Sequence, residues 1–171
     1  MINLYRYEIT KYKPNFRDEE YEDWTAISDI GNSYEGQILT IEKYKEVEDS
    51  YIKAIHLVME YLELPFLLIN NVVRSFSYDT FMEIRKDCRE LYTKEILERY
   101  SSAKDLEELD KEKVDSFCRL QLREDIGATV YYPRRMKVYI GYDFLMGIHT
   151  SQSIASIIPS IERLGLFVEK H

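Results

Sequence analysis

The sequence predicts an α+β fold: a mostly antiparallel sheet with about four helices packed on it, in a single domain over 1–171. The candidate segments run β, α, β, α, α, β, β, α, β, without the strict alternation that builds a parallel sheet. A length of 171 residues suits one domain, since folding at this size buries roughly 70% of the chain's surface. Apolar residues make up 45% and charged residues 32%, which excludes a disordered or membrane-embedded chain. The sequence shows no internal repeat, low-complexity tract or linker.

Residues 2–12 alternate and are rich in Tyr and Ile, the pattern of a first strand that Pro14 and Asn15 end. Thr40 caps a helix with Glu42 in its first turn. Ile41, Tyr44, Val47, Tyr51, Ile55, Val58, Met59 and Leu62 form its stripe, and Pro65 forces a stop near Leu64. Residues 66–73 read as a short buried strand. A second helix is expected over about 78–100, capped by Ser77 or Asp79, with Phe81, Ile84, Cys88, Leu91, Tyr92, Ile96 and Leu97 as its stripe. A third runs over 110–125, with Gly127 as its stop. Residues 128–149 read as a hairpin around Pro133-Arg134-Arg135, with one long return strand over 137–146. A last helix over 152–164 is kinked or delayed by Pro159, and Gly165 releases a terminal strand over 166–169.

The ionic balance constrains partners. Lys plus Arg total 23 and Asp plus Glu 31, a net charge of −8, which argues against a general binder of phosphate backbones. Two cysteines, Cys88 and Cys118, make no disulfide framework and fit a reducing compartment. The opening residues lack a basic stretch followed by an apolar run, and no run approaches the roughly 20 apolar residues of a membrane span, so a cytoplasmic protein is expected.

No catalytic, cofactor or metal signature stands out. His56 and Glu60 share a helix face, but a zinc-protease helix needs two histidines. Cys88 and Cys118 lie thirty residues apart without a nearby second ligand pair, so both read as packed residues. His149, Thr150, Ser151 and Ser153 place hydroxyls beside an imidazole, at a junction where hydroxyls serve as caps. The six glycines form no phosphate-binding loop, and Gly141 and Gly147 mark bulges or close packing. Asp143 is the one acid whose aromatic surroundings single it out. Arg134, Arg135 and Lys137 read as a soluble hairpin tip rather than a nucleic-acid site.

The strongest surface signal is the acidic run Asp18, Glu19, Glu20, Tyr21, Glu22, Asp23 and Trp24. Five carboxylates among residues 17–23 would steer a basic partner, and Tyr21 and Trp24 are residue types that anchor interfaces. The alternative is a solvated loop with Trp24 in the core. The 15 tyrosines favour a binding role, because a core draws more naturally on Leu, Ile and Phe.

Three stretches carry a resemblance. They are Tyr7-Glu8-Ile9-Thr10-Lys11-Tyr12 with the acidic run and Trp24-Thr25-Ala26-Ile27-Ser28-Asp29-Ile30-Gly31, then Val138-Tyr139-Ile140-Gly141-Tyr142-Asp143, and Gly165-Leu166-Phe167-Val168-Glu169. Together they resemble bacterial immunity proteins of polymorphic-toxin and contact-dependent growth-inhibition systems. The resemblance implies a non-enzymatic, cytoplasmic inhibitor that occludes the active site of one cognate toxin domain. A basic nuclease, most of all an RNase, suits so acidic a partner. It implies no cofactor, no direct nucleic acid and no membrane. The rival readings are a small enzyme with a dispersed site and a non-catalytic regulatory module.

Overall fold

Side-chain alternation builds the first strand: Tyr7 and Ile9 are buried while Arg6 is exposed, so β1 (Tyr5–Thr10) has one face on the core. The structure is a computed structural model that describes residues 4–14 and 22–171. A small ribbon, β2 (Ser33–Tyr34) and β3 (Gln37–Ile38), stands apart. The remaining strands are β4 (Leu67–Arg74), β5 (Glu108–Leu109), β6 (Ile126–Tyr132), β7 (Met136–Ile140), β8 (Met146–Thr150) and β9 (Phe167–Lys170). With β1 they form a seven-stranded sheet in the order β5-β4-β6-β7-β8-β1-β9, antiparallel at every pairing. Among the described residues the helices are α1 (Ile41–Tyr61), α2 (Tyr78–Ile84), α3 (Lys94–Ser102), α4 (Lys111–Leu122) and α5 (Ile158–Glu162). The α+β class and the antiparallel sheet are as expected; the helix count is one higher.

Local chemistry explains the helix starts. Thr40, Ser77, Thr93 and Asp110 each accept the backbone N–H three residues on, at 3.2, 3.4, 3.3 and 2.9 Å. The core face of the sheet is set by Tyr7, Ile9, Ile69, Val130, Val138 and Ile148, which join Tyr44, Tyr51, Ile55 and Val58 of α1 and Phe117 and Leu120 of α4 in one cluster. The other face carries Arg6, Lys137, Tyr139 and His149, all exposed or half-buried.

Three expectations need correction. The helix over 78–100 is broken into α2, a 3-10 segment (Lys86–Leu91) and α3. Arg85 and Tyr92 both reach the carboxylate of Asp125, at 2.9 and 2.5 Å, while Arg123 takes the Leu91 carbonyl at 2.9 Å. A continuous helix would separate residues 85 and 92 by about 10 Å along its axis. The long return strand is two strands, β7 and β8, because Phe144 turns inward and is fully buried. The third helix ends at Leu122, and the left-handed residue after its cap is Glu124 (φ 63°), not Gly127, which lies in β6. As expected, Pro159 delays the last helix, which begins at Ile158.

Between α1 and α4 lies an ion network that no stripe of apolar residues announces. Glu48, wholly buried, accepts from Arg123 Nε (2.8 Å), Arg123 Nη2 (2.5 Å) and Arg119 Nη1 (2.9 Å). Three charged hydrogen bonds offset the cost of taking these ions out of water.

Candidate partner-binding surface

Of the acidic run, Asp18, Glu19, Glu20 and Tyr21 lie outside the described residues. Glu22 is exposed, Asp23 half-buried and Trp24 buried. Trp24 is therefore core, not a surface anchor: its ring packs 5.3 Å from Tyr44 and 5.2 Å from Phe144. Trp24 has to sit there because Lys11 holds its backbone. Lys11 Nζ donates to Asp23 Oδ2 at 2.6 Å and to the Trp24 carbonyl at 2.5 Å, and lies 4.1 Å above the Trp24 ring. Burial lowers the Lys11 pKa, opposed by the hydrogen bond and charge of Asp23 and by the charge of Asp29. The described chain on both sides of the acidic run is thus pinned at one place.

That place is the turn between β7 and β8. Tyr12 donates its hydroxyl to the Asp143 carbonyl at 2.6 Å, and Tyr51 to the Phe144 carbonyl at 2.8 Å. These bonds, with Phe144 locked among aromatic rings, hold Asp143 and Phe144 at φ 61° and 60°. Left-handed backbone costs about 1–2 kcal/mol per residue in a chain of L-residues. The consequence is outward presentation of Tyr142, which is 78% exposed.

The end of α4 faces this turn. Glu124 N–H bonds the Gln121 carbonyl at 3.0 Å and Asp125 N–H the Leu120 carbonyl at 2.9 Å, a helix-ending pattern whose left-handed residue is usually glycine. Here it is Glu124, whose carboxylate accepts the Asp143 N–H at 3.4 Å. Burial raises the Glu124 pKa; the Asp143 N–H opposes this and the Asp143 charge adds to it. Glu124, Gln121, Val73 and Tyr142 line a cleft of about 330 Å³. Gln121 donates through Nε2 to the Ala128 carbonyl at 2.9 Å, but its buried Oε1 has no hydrogen-bond partner among the described residues. The exposed Glu124 carboxylate beside an exposed phenol ring is complementary to a lysine or arginine side chain, which has donors only.

No family model, curated protein or solved structure matches this chain.

The spacing over 110–125 puts Gln121 on one helix face with Val114, Phe117, Cys118 and Leu122, and the return strand over 137–146 takes in Tyr142; neither singles out Glu124. The one available signal was a glutamate just past the last turn of α4, where the expected stop lay three residues further on. Asp143, singled out from its neighbours, is exposed and serves the turn through its backbone.

The other candidates are accounted for by packing. His56 bonds the Lys111 carbonyl at 3.0 Å and Glu60 pairs with Lys111 at 2.6 Å. Burial raises the thiol pKa values of Cys118, in the core, and of half-buried Cys88. Thr150 bonds the Gln152 carbonyl at 2.6 Å, and Ser153 accepts the Ala155 N–H at 3.1 Å. Among the described residues, one group, Glu8, Glu169 and His171, brings three ligand atoms within 4.8 Å of one another. It sits at the exposed β1–β9 edge, where a 3.2 Å Glu8–His171 pair and the Glu8–Glu169 register account for its closeness. Among the described residues no helix is long and apolar enough to cross a membrane.

Proposed function

We infer that this chain is a cytoplasmic immunity protein that neutralises a basic toxin domain, a nuclease and most of all an RNase, by covering its active site. The observation that carries this reading is the cleft where the Glu124 carboxylate lies beside Tyr142, a socket for a cationic side chain next to the anchorage of the acidic run. A lysine or arginine that grips substrate phosphates in the toxin would sit against these acceptors instead. Occlusion needs no chemistry from the inhibitor, so no catalytic residue is assigned. The acidic run would steer the encounter, and Tyr142 would bury a large ring on contact.

The test is binding to the toxin-domain product of the neighbouring reading frame. Tyr142→Ala and Glu124→Gln should each weaken the complex at least about 30-fold, or roughly 2 kcal/mol, without lowering the melting temperature. Full affinity in both variants would remove the socket from the interface.

A further inference from the structure

The sheet gathers cations on the face that the helices leave open. Tyr131, Lys137, His149 and Arg6 are successive Cα partners in one row across β6, β7, β8 and β1. Just before Lys137 the chain turns and adds Arg134 and Arg135. A cavity of about 610 Å³ opens there, with Leu4, Tyr132 and Met136 on its apolar side and Arg134, Lys137 and His149 on its polar side. Among the described residues no carboxylate lines it, in a protein whose net charge is −8.

These cations are available. Among the described residues, Arg6, Arg134 and Lys137 have no carboxylate within 4.0 Å, and Arg135 donates one bond, 3.0 Å, to the Leu62 carbonyl. Across this face Glu8 lies one row further along and pairs with His171, and Glu108 ends the same row beyond Leu68. His149 packs against Tyr139, with ring centroids 4.9 Å apart and planes tilted by 53°. Burial lowers its pKa first, and the charges of Arg6 and Lys137 lower it further, so the local field is positive.

We propose that this cleft binds a small aromatic phosphate of the nucleoside monophosphate class. Arginine at its mouth matches phosphate in charge and fork geometry. The half-buried Tyr131, on the same face as Lys137 and His149, gives a ring on which a flat base stacks. The volume falls within the usual small-ligand range of about 300–1,000 Å³. A nucleic-acid strand fits less well, because phosphates beyond the first would meet Glu8 and Glu169 one row along and Glu108 at the far end of the same row. The site is independent of the toxin socket: the two lie at opposite ends of β7.

Adenosine 5′-monophosphate titrated into the full chain, with the three histidines followed by NMR, tests this. The His149 resonance should shift saturably at ligand concentrations below about 1 mM, and its pKa should rise, because a nearby anion favours imidazolium. The R134Q/K137Q double variant, altered at two exposed positions, should keep its melting temperature and bind at least about tenfold more weakly. Adenosine alone and inorganic phosphate alone should each bind at least about tenfold more weakly than the nucleotide. A His149 that does not respond, a double variant that binds as the parent does, or phosphate that equals the nucleotide would overturn the proposal. A single-stranded oligonucleotide that saturates at far lower concentration would overturn it in favour of nucleic acid.

Discussion

Lys11 Nζ lies 2.6 Å from Asp23 Oδ2 and joins two points of the chain twelve residues apart. The same ammonium caps the Trp24 carbonyl and stands over the indole ring. One side chain therefore fixes the base of the acidic run against the core.

Lys11→Met keeps the stem of that side chain and removes its charge. Asp23 and the Trp24 carbonyl then lose their donor, and the expected cost is about 1–3 kcal/mol of folding stability. Urea unfolding followed by tryptophan fluorescence measures it, since Trp24 is the chain's single tryptophan. An unchanged midpoint would mean that Lys11 does not anchor this segment.

Neutralising Asp18, Glu19, Glu20 and Glu22 to Asn or Gln leaves Asp23, and hence the Lys11 bond, intact. Association with the basic toxin domain at low salt should slow by about tenfold or more, and its salt dependence should flatten. Stopped-flow mixing at two ionic strengths gives both numbers. A rate that stays the same at low salt would take steering away from the run.

Glu124 offers a pH test. Its folded-state pKa is raised, so its contribution to stability is complete below the ordinary carboxylate range and is lost as pH rises through the raised value. Glu124→Gln should match the parent below about pH 4 and exceed it by a few tenths of a kcal/mol at neutral pH, the small size reflecting its solvent exposure. Melts at the two pH values check the sign. Glu63, at φ 58° after α1, is a useful comparison: Glu63→Gly should stabilise by about 0.5–1 kcal/mol without touching the toxin complex.

Glu48→Gln leaves Arg123 buried without its counter-charge. The expected loss is about 3–5 kcal/mol, the usual cost of breaking a buried ion pair from one side. Thermal unfolding of the variant decides this; a loss below 1 kcal/mol would show that water or a rearranged Arg119 replaces the carboxylate.

The sequence was most readable where local chemistry decides the outcome. Thr40, Glu42 and a stripe running to Leu62 specify α1 almost to the residue, and Asp110 does the same for the start of α4. It was least readable where distant groups compete with local preference. The apolar spacing over 78–100 is continuous, yet Asp125 and Arg123 pull Arg85, Leu91 and Tyr92 out of a common helix. Glu48 reads as a surface acid until two arginines, 71 and 75 residues away, close on it. The acidic run was legible as charge. Its relation to Tyr142 was not, because the hydroxyl of Tyr12 that ties them together acts across 131 residues.

The place of β1 in the sheet also sets a schedule. Its partners are β8 and β9, so Tyr5 meets Thr150 and Thr10 meets Phe167. During synthesis at ~5–20 residues per second, the opening strand waits on the order of ten seconds for these partners to leave the ribosome. Until then Lys11 and Trp24 have no Phe144 to close against. The elements from α1 to β7 already have neighbours among themselves, so the N-terminal strand seats late, on β8, by a long-range closure that topology makes slow, and β9 then pairs with it at the edge. A nascent chain of this kind would become competent to bind only after nearly all of it has emerged.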